Sequence, residues 1–344
     1  MILAALALAL AANPAAPSRE TPSATRTPSV PQIELAPPAA RPGDAVLVRV
    51  VGAPDGVAPT AALAGKPLVF WRVGKKTPAE WRALAALPIE LPPGPAPVEV
   101  DAGGATASAV LDVVDPNFPA RSLTVDDRFV EPPPAVKKRI AADRAAFAKA
   151  YARPFGPPRF EGRGFAWPRE ARLTGRFGDK RIFNGKRESI HYGTDVTGPI
   201  GSPIAAAADG LVVLVRDAYM SGKTVLLWHG ADVFTVYFHL HRVDARPGAT
   251  VRRGQRIGRL GASGRVTGPH LHWSARVGGL FVDPESLLAI DFAAGRAPPR
   301  APRPGLPAPE APAEGFDAPP PAAAQGAEPA AAVSPAAGAP APPR

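Results

Sequence analysis

The sequence predicts a mainly β protein with two folded units joined by one helix, and three observations predict it. Short alternating or β-branched runs separated by Gly, Pro and Asp fill residues 32–115. One stretch near 135–152 spaces its apolar residues for a helix, and strand-like text with Gly/Pro turns resumes after residue 160. A length of 344 residues suits two domains plus linkers.

The chain opens on an apolar run, residues 1–12, in which Ala9-Leu10-Ala11 resembles a small-residue cleavage site. It reads as a secretory signal peptide, although no Lys or Arg precedes the run. It is too short to span a bilayer, which takes about 20 apolar residues. Residues 13–31, rich in Pro, Ser and Thr, read as a flexible leader. Between 32 and 115 the runs Ile33 to Leu35, Val46 to Val51, Leu68 to Val73, Val98 to Val100 and Ala109 to Val114 predict a small β-sandwich, with an immunoglobulin-like topology as the variant considered. Residues 76–87, with Trp81 and Leu84, read as a short helix or a loop, and Trp71 and Trp81 as core packing rather than a sugar-stacking platform.

Residues 116–159 form a linker. Its triproline, Pro132 to Pro134, leads into a helix expected over about 135–152, with Val136, Ile140, Phe147 and Tyr151 near one face. Such a face should dock on a domain. A second folded unit is expected over 160–290, followed by a Pro/Ala-rich tail over 291–344 that lacks the apolar periodicity to bury a core and reads as disordered or polyproline II.

Lys and Arg number 40 against 30 Asp and Glu, a formal charge of +10. In an exported protein that balance favours cell-wall polymers as partners. No basic tract interleaved with aromatics suggests nucleic acid. The absence of cysteine rules out a disulfide framework, a lipid-accepting thiol and a thiolate metal site. No later stretch is apolar enough for a membrane span, so the mature protein is expected in the periplasm, the cell envelope or the medium.

Two tracts carry the chemistry: His191-Tyr-Gly-Thr-Asp195 and His270-Leu-His272. A catalytic zinc takes three protein ligands from His, Asp or Glu and leaves the fourth position to water, which it acidifies. His270 and His272, two apart on an apparent strand, turn both imidazoles to one face. One of them suffices for the metal, and the other suits general acid/base work near neutral pH. Glycines and a proline around His191 and Asp195 argue that this pair comes from a strand end rather than a helix.

From about Leu173 to Leu288 the chain resembles the M23 (LytM/lysostaphin-type) zinc endopeptidases of peptidoglycan. The elements that match are His191 to Asp195, the strand Tyr237-Phe-His239-Leu240 and the terminal His270-Leu-His272, with Gly198 to Pro203, Asp209-Gly210, Val251 to Gly258, Gly261 to Gly264 and Val282-Asp-Pro284 in order between and after them. The resemblance implies an all-β peptidase domain with a groove holding one zinc ion, bound by His191, Asp195 and His272, and two catalytic histidines, His239 and His270. No HExxH is present, so imidazole rather than Glu would be the base. His241, in a second His-Leu-His, is expected at the rim, and His229 at a strand end without a catalytic part.

The implied activity is hydrolysis of peptide stems or cross-links by zinc-activated water. Phe183-Asn-Gly185 stands where some glycine-bridge-cutting relatives carry Tyr, which points to direct D-Ala-to-diaminopimelate cross-links. The rival reading is a non-catalytic, peptidoglycan-binding or amidase-activating homologue, although members of that kind typically lose metal ligands. The D-Ala-D-Ala carboxypeptidases use a related ligand set with a wider first spacing. The helix and first domain are expected to flank the groove and restrict access to it.

Overall fold

The computed structural model describes residues 30–54, 56–75, 78–123, 132–183, 185, 187–266 and 268–301. The expected signal, nearly all of the leader and the tail from 302 lie outside them.

The first unit contains β1 (Gln32–Ala36), β2 (Ala39–Ala40), β3 (Ala45–Ala53), β4 (Thr60–Leu63), β5 (Lys66–Pro67), β6 (Trp71–Val73), β7 (Ala79–Ala86), β8 (Gly94–Ala102) and β9 (Ala105–Val113). They form two sheets, ordered β1-β3-β7-β6 and β2-β9-β8-β4-β5. Val46, Val48 and Val50 of β3 and Ala83 and Ala85 of β7 share one apolar core with Leu63, Val98, Val100 and Leu111 of the other sheet. Of the segment expected as helix or loop at 76–87, residues 76 and 77 lie outside the described residues and residues 79–86 form instead the strand β7. Its Ala, Glu and Arg favour a helix locally, but pairing along β3 from Ala45 with Ala86 to Ala53 with Ala79 prevails.

The connection supplies β10 (Ala120–Leu123) and α1 (Lys137–Tyr151). Phe147 and Ala150 of α1 are buried in a cluster with Leu226, Trp228, Phe234, Val236 and Phe238. Asp143 is buried on the same face, accepting from Arg216 Nε at 2.6 Å and from the Tyr219 N–H at 2.8 Å.

The second unit contains β11 (Leu173–Gly175), β12 (Lys180–Phe183), β13 (Arg187–Ile190), β14 (Thr194–Thr197), β15 (Pro203–Ala205), β16 (Gly210–Ala218), β17 (Gly222–Trp228), β18 (Val233–Leu240), β19 (Arg242–Val243), β20 (Thr250–Val251), β21 (Arg256–Arg259), β22 (His270–Val277), β23 (Leu280–Val282) and α2 (Pro284–Ala289). The main sheet runs β11-β14-β22-β18-β17-β16-β20, with β23 on β22. Two small sheets, β15-β21-β19 and β10-β12-β13, complete the unit, the latter using a strand from the connection. β18 is buried along its whole length, which suits the nearly unbroken apolar text of Val233 to Leu240.

The two units share a core. Ala45 and Leu47 of β3, Trp71 of β6 and Leu84 and Ala86 of β7 join the cluster that holds Phe160, Leu287 and Phe292. β3 is therefore apolar on both faces. Around this contact Arg300 Nη2 lies 2.7 Å from Asp283 Oδ2, and Arg300 Nε lies 3.3 Å from Asp44 Oδ2. The Asp283 N–H donates to Gly43 O at 2.7 Å, and the Ala45 N–H to Ser286 Oγ at 2.9 Å.

Candidate metal centre

β13 ends at Ile190 and hands His191 to the centre of the second unit. The His191 N–H donates to Asp179 O at 3.0 Å, and its carbonyl accepts from the Gly178 N–H at 2.8 Å, which fixes the backbone there. Asp195, in β14, pairs across the ladder with His272 of β22. These placements bring His191 Nε2, Asp195 Oδ1 and His272 Nδ1 to within 2.9 to 3.1 Å of one another. All three residues are buried.

The surrounding hydrogen bonds decide which nitrogens carry protons. His191 Nδ1 donates to Arg176 O at 2.9 Å, which leaves Nε2 with a lone pair. His272 Nε2 donates to Ser274 Oγ at 2.8 Å, and that hydroxyl passes its own proton to Tyr192 O at 2.8 Å, so Nδ1 of His272 is left with a lone pair. Three buried acceptors thus converge with no hydrogen between them. Tetrahedral zinc, at about 2.0–2.2 Å from N and O ligands, would set neighbouring ligand atoms about 3.3 Å apart. An opening of a few tenths of an ångström fits the donor set to such an ion, and the bonds on the far nitrogens are of the kind that orient metal-binding histidines.

His239 and His270 border this cluster. His239 lies at the end of β18 with φ +61°, an uncommon conformation for a side chain of this size. Its Nδ1 donates to Ser263 O at 2.9 Å, and His270 Nδ1 donates to Gly268 O at 2.9 Å. Each ring thus has its Nδ1 committed to a backbone carbonyl and its Nε2 left for another partner. His270 Nε2 is buried without a hydrogen-bond partner, 3.7 Å from Asp195 Oδ1, and the two rings are 5.0 Å apart.

Burial is the main cause that lowers the pKa of His191, with the Arg181 charge adding to it. Burial, then the neighbouring His270 and His272, holds His239 well below the ordinary imidazole value. For Asp195 burial works the other way, but His191, His270 and the histidine hydrogen bonds outweigh it and keep the carboxyl well below its usual range. A neutral His191 beside an ionised Asp195 is the state a divalent cation needs.

All five residues expected at the site lie together. His241 is exposed between β18 and β19, its carbonyl accepting from Lys223 Nζ at 3.0 Å. His229 is buried elsewhere, donating from Nδ1 to Asp209 O at 2.8 Å and accepting at Nε2 from Thr235 Oγ1 at 2.7 Å. Sequence reasoning missed Arg181, Ser274, Phe238, Gly175 and Gly193. Phe238 stacks on the His272 ring at 5.2 Å, 14° from parallel. A Cβ on Gly193 would fall 2.6 Å from His272 Nε2, and one on Gly175 would fall 2.5 Å from Asp195 Oδ2. Ser274 follows His272 at the period-two position on β22, which is the one signal that could have singled it out.

Residues 189–284 match the model of Peptidase family M23. The Peptidoglycan DD-endopeptidase ShyA of Vibrio cholerae is 42% identical over 109 residues, which are 31% of this chain and 25% of that protein. The DD-carboxypeptidase/endopeptidase Mpg of Neisseria meningitidis is 40% identical over 98 residues, 28% of this chain and 23% of that one. The matches thus span about a quarter of these relatives' length. A crystal structure of a putative peptidase M23 from Pseudomonas aeruginosa superimposes with a TM-score of 0.52 at 29% identity, covering 74% of this chain and 95% of that chain.

Proposed function

The chain belongs to peptidase family M23, and from that premise we propose that it is an exported zinc metalloendopeptidase that hydrolyses peptide stems or cross-links of bacterial peptidoglycan. The observation that carries this reading is the convergence of three buried lone-pair donors, His191, Asp195 and His272, whose outer atoms are already committed to other partners. A zinc ion bound there supplies Lewis acidity, lowering the pKa of a water and polarising a carbonyl. The chain's own residues then handle the protons. His239 and His270, each with its proton held at Nδ1 by a backbone carbonyl, present Nε2 to the reacting atoms. One takes the proton of the attacking water; as an imidazolium it can donate to the tetrahedral oxygen or the departing amine.

Peptidoglycan is supported as substrate by the curated relatives, whose names denote DD-endopeptidases, and direct D-Ala-to-diaminopimelate cross-links are the bond proposed. No helix among the described residues is long and apolar enough to cross a membrane. The periplasm, the envelope or the medium is the proposed location.

The test is digestion of purified cross-linked peptidoglycan, with and without chelator, followed by mass analysis of the released muropeptides. Chelator-sensitive loss of cross-linked dimers is expected and identifies the bond; binding without cleavage would replace the enzyme with a wall-binding module. His191→Ala, Asp195→Ala and His272→Ala should abolish zinc retention, read by elemental analysis after dialysis. His239→Ala and His270→Ala should keep zinc and lose turnover by at least about 100-fold.

A further inference from the structure

Asp195 uses both of its oxygens, and they face different partners. Oδ1 points at His191 Nε2, His272 Nδ1 and, further off, His270 Nε2. Oδ2 meets Arg181 Nη2 at 3.1 Å. Arg181 is carried by β12, which is paired on both edges: Ser189 of β13 lies opposite on one side and Arg121 of β10 on the other. Its position is therefore set by two ladders, one of which runs into His191. The space for the contact comes from Gly175 of β11, where a Cβ would lie 2.5 Å from Asp195 Oδ2 and 3.0 Å from Arg181 Nη2. Only a residue without a side chain lets guanidinium and carboxylate meet there.

From this geometry we infer that Arg181 is a positioning residue for the metal centre. Holding Oδ2, it presents Oδ1 alone to the cation and prevents the carboxylate from turning to bind through both oxygens. The inference rests on the zinc reading of the site and assigns a role that the five expected residues do not cover. Two effects of Arg181 on a bound dication have opposite signs. Its positive charge repels the ion, so a purely electrostatic bystander would, on removal, tighten binding. Orientation of a ligand by its outer hydrogen-bond partner works the other way, and loss of such a partner weakens metal binding by about 10- to 100-fold.

The experiment is competition for zinc against a chromophoric chelator at neutral pH, using the full chain, with thermal melting of each metal-free variant to establish that it is folded. Arg181→Met should bind zinc about 10- to 100-fold more weakly than the unaltered protein. Arg181→Lys, which keeps one charged donor but loses the planar fork, should recover most of that loss and remain about threefold weaker. Unchanged or tighter binding by Arg181→Met overturns the inference, as does an equal loss in both variants accompanied by an equal fall in melting temperature. Should Arg181→Met not fold, Arg181→Lys decides alone: affinity equal to that of the unaltered protein overturns the role. Failure of the unaltered protein to bind zinc would instead overturn the metal reading and this inference with it.

Discussion

At the residue scale, His229 shows how a buried histidine away from the His191-Asp195-His272 cluster serves as scaffold. Its Nδ1–H goes to Asp209 O, its Nε2 accepts from Thr235 Oγ1, and Thr235 Oγ1 lies 2.9 Å from the Tyr237 hydroxyl, which itself accepts from the Ala207 N–H. Every proton in that chain has one place to be, and a second proton on His229 would reverse it. Burial accordingly lowers the His229 pKa to about 4 and raises that of Tyr237 to about 12. The folded pKa of His229 lies below the ordinary 6.5, so its contribution to stability is complete above that pH. On acidification the unfolded chain takes up the proton first. Stability should thus fall between about pH 6.5 and 4, by up to about 3 kcal/mol from this group, and level off below. Urea unfolding across that range checks it: His229→Gln should show a shallower decline than the unaltered protein, and parallel curves would refute the assignment. The same scale shows why the five residues that cluster in the second unit could be picked out in the sequence. Histidine and aspartate at fixed spacing announce ligand chemistry, whereas Arg181 and Ser274 act through Asp195 and His272 and are ordinary surface-type residues in sequence.

At the scale of the element, α1 docks by a face that is not purely apolar. Phe147 stands edge-on to Phe238 at 6.1 Å, and Tyr151 edge-on to Phe234 at 5.2 Å. Asp143 lies one turn before Phe147 and receives Arg216 and the Tyr219 N–H, so a carboxylate occupies the seam. Through Phe238 the helix also supports the ring stacked on His272. Phe147→Ala should destabilise the protein by about 3–5 kcal/mol through the cavity it leaves. Asp143→Ala should cost about 2 kcal/mol, since it removes an acceptor of charge-assisted bonds. Both are measurable by denaturant midpoint, and a change under about 0.5 kcal/mol for Phe147→Ala would show that the helix is not docked in solution. Of the expected face, Phe147 and Tyr151 pack in this cluster while Val136 and Ile140 lie outside it and Ala150 is buried instead; Asp143 gave no sign in sequence because its partners lie on β16 and the turn after it. β7 departs from the helix-or-loop expectation for a related reason: an Ala-rich segment becomes a strand when it is sandwiched between two cores.

At the scale of the whole molecule, the first unit is joined to the second by a common core rather than by a flexible hinge. The ion cluster of Arg41, Asp44, Asp283 and Arg300 is nearly inaccessible to water, and the Trp71 Nε1–H reaches Glu161 at 2.7 Å across the same contact. A fragment beginning at Phe160 would expose the faces that meet Leu47, Trp71 and Leu84, and leave Asp283 and Arg300 without Asp44. Such a fragment should melt at a lower temperature than the full chain or aggregate. Gain of activity without loss of stability would instead favour a first unit that merely restricts access. Leu47→Ala should cost about 2–5 kcal/mol and lower one cooperative transition rather than split it into two.

By itself the sequence determined the mainly β class, the helix between two β-rich stretches and the five histidine and aspartate residues that the fold brings together, because period, turn residues and ligand spacing are local properties that survive without a partner. Tertiary structure alone decided that β3 is buried on both faces, that β7 is a strand, that β10 joins β12 beside the site, and that Arg181 meets the outer oxygen of Asp195. Each of these depends on what a residue finds across a sheet or between units many positions away in the chain, and burial and hydrogen-bond satisfaction at such contacts outweigh the local preferences that a sequence displays.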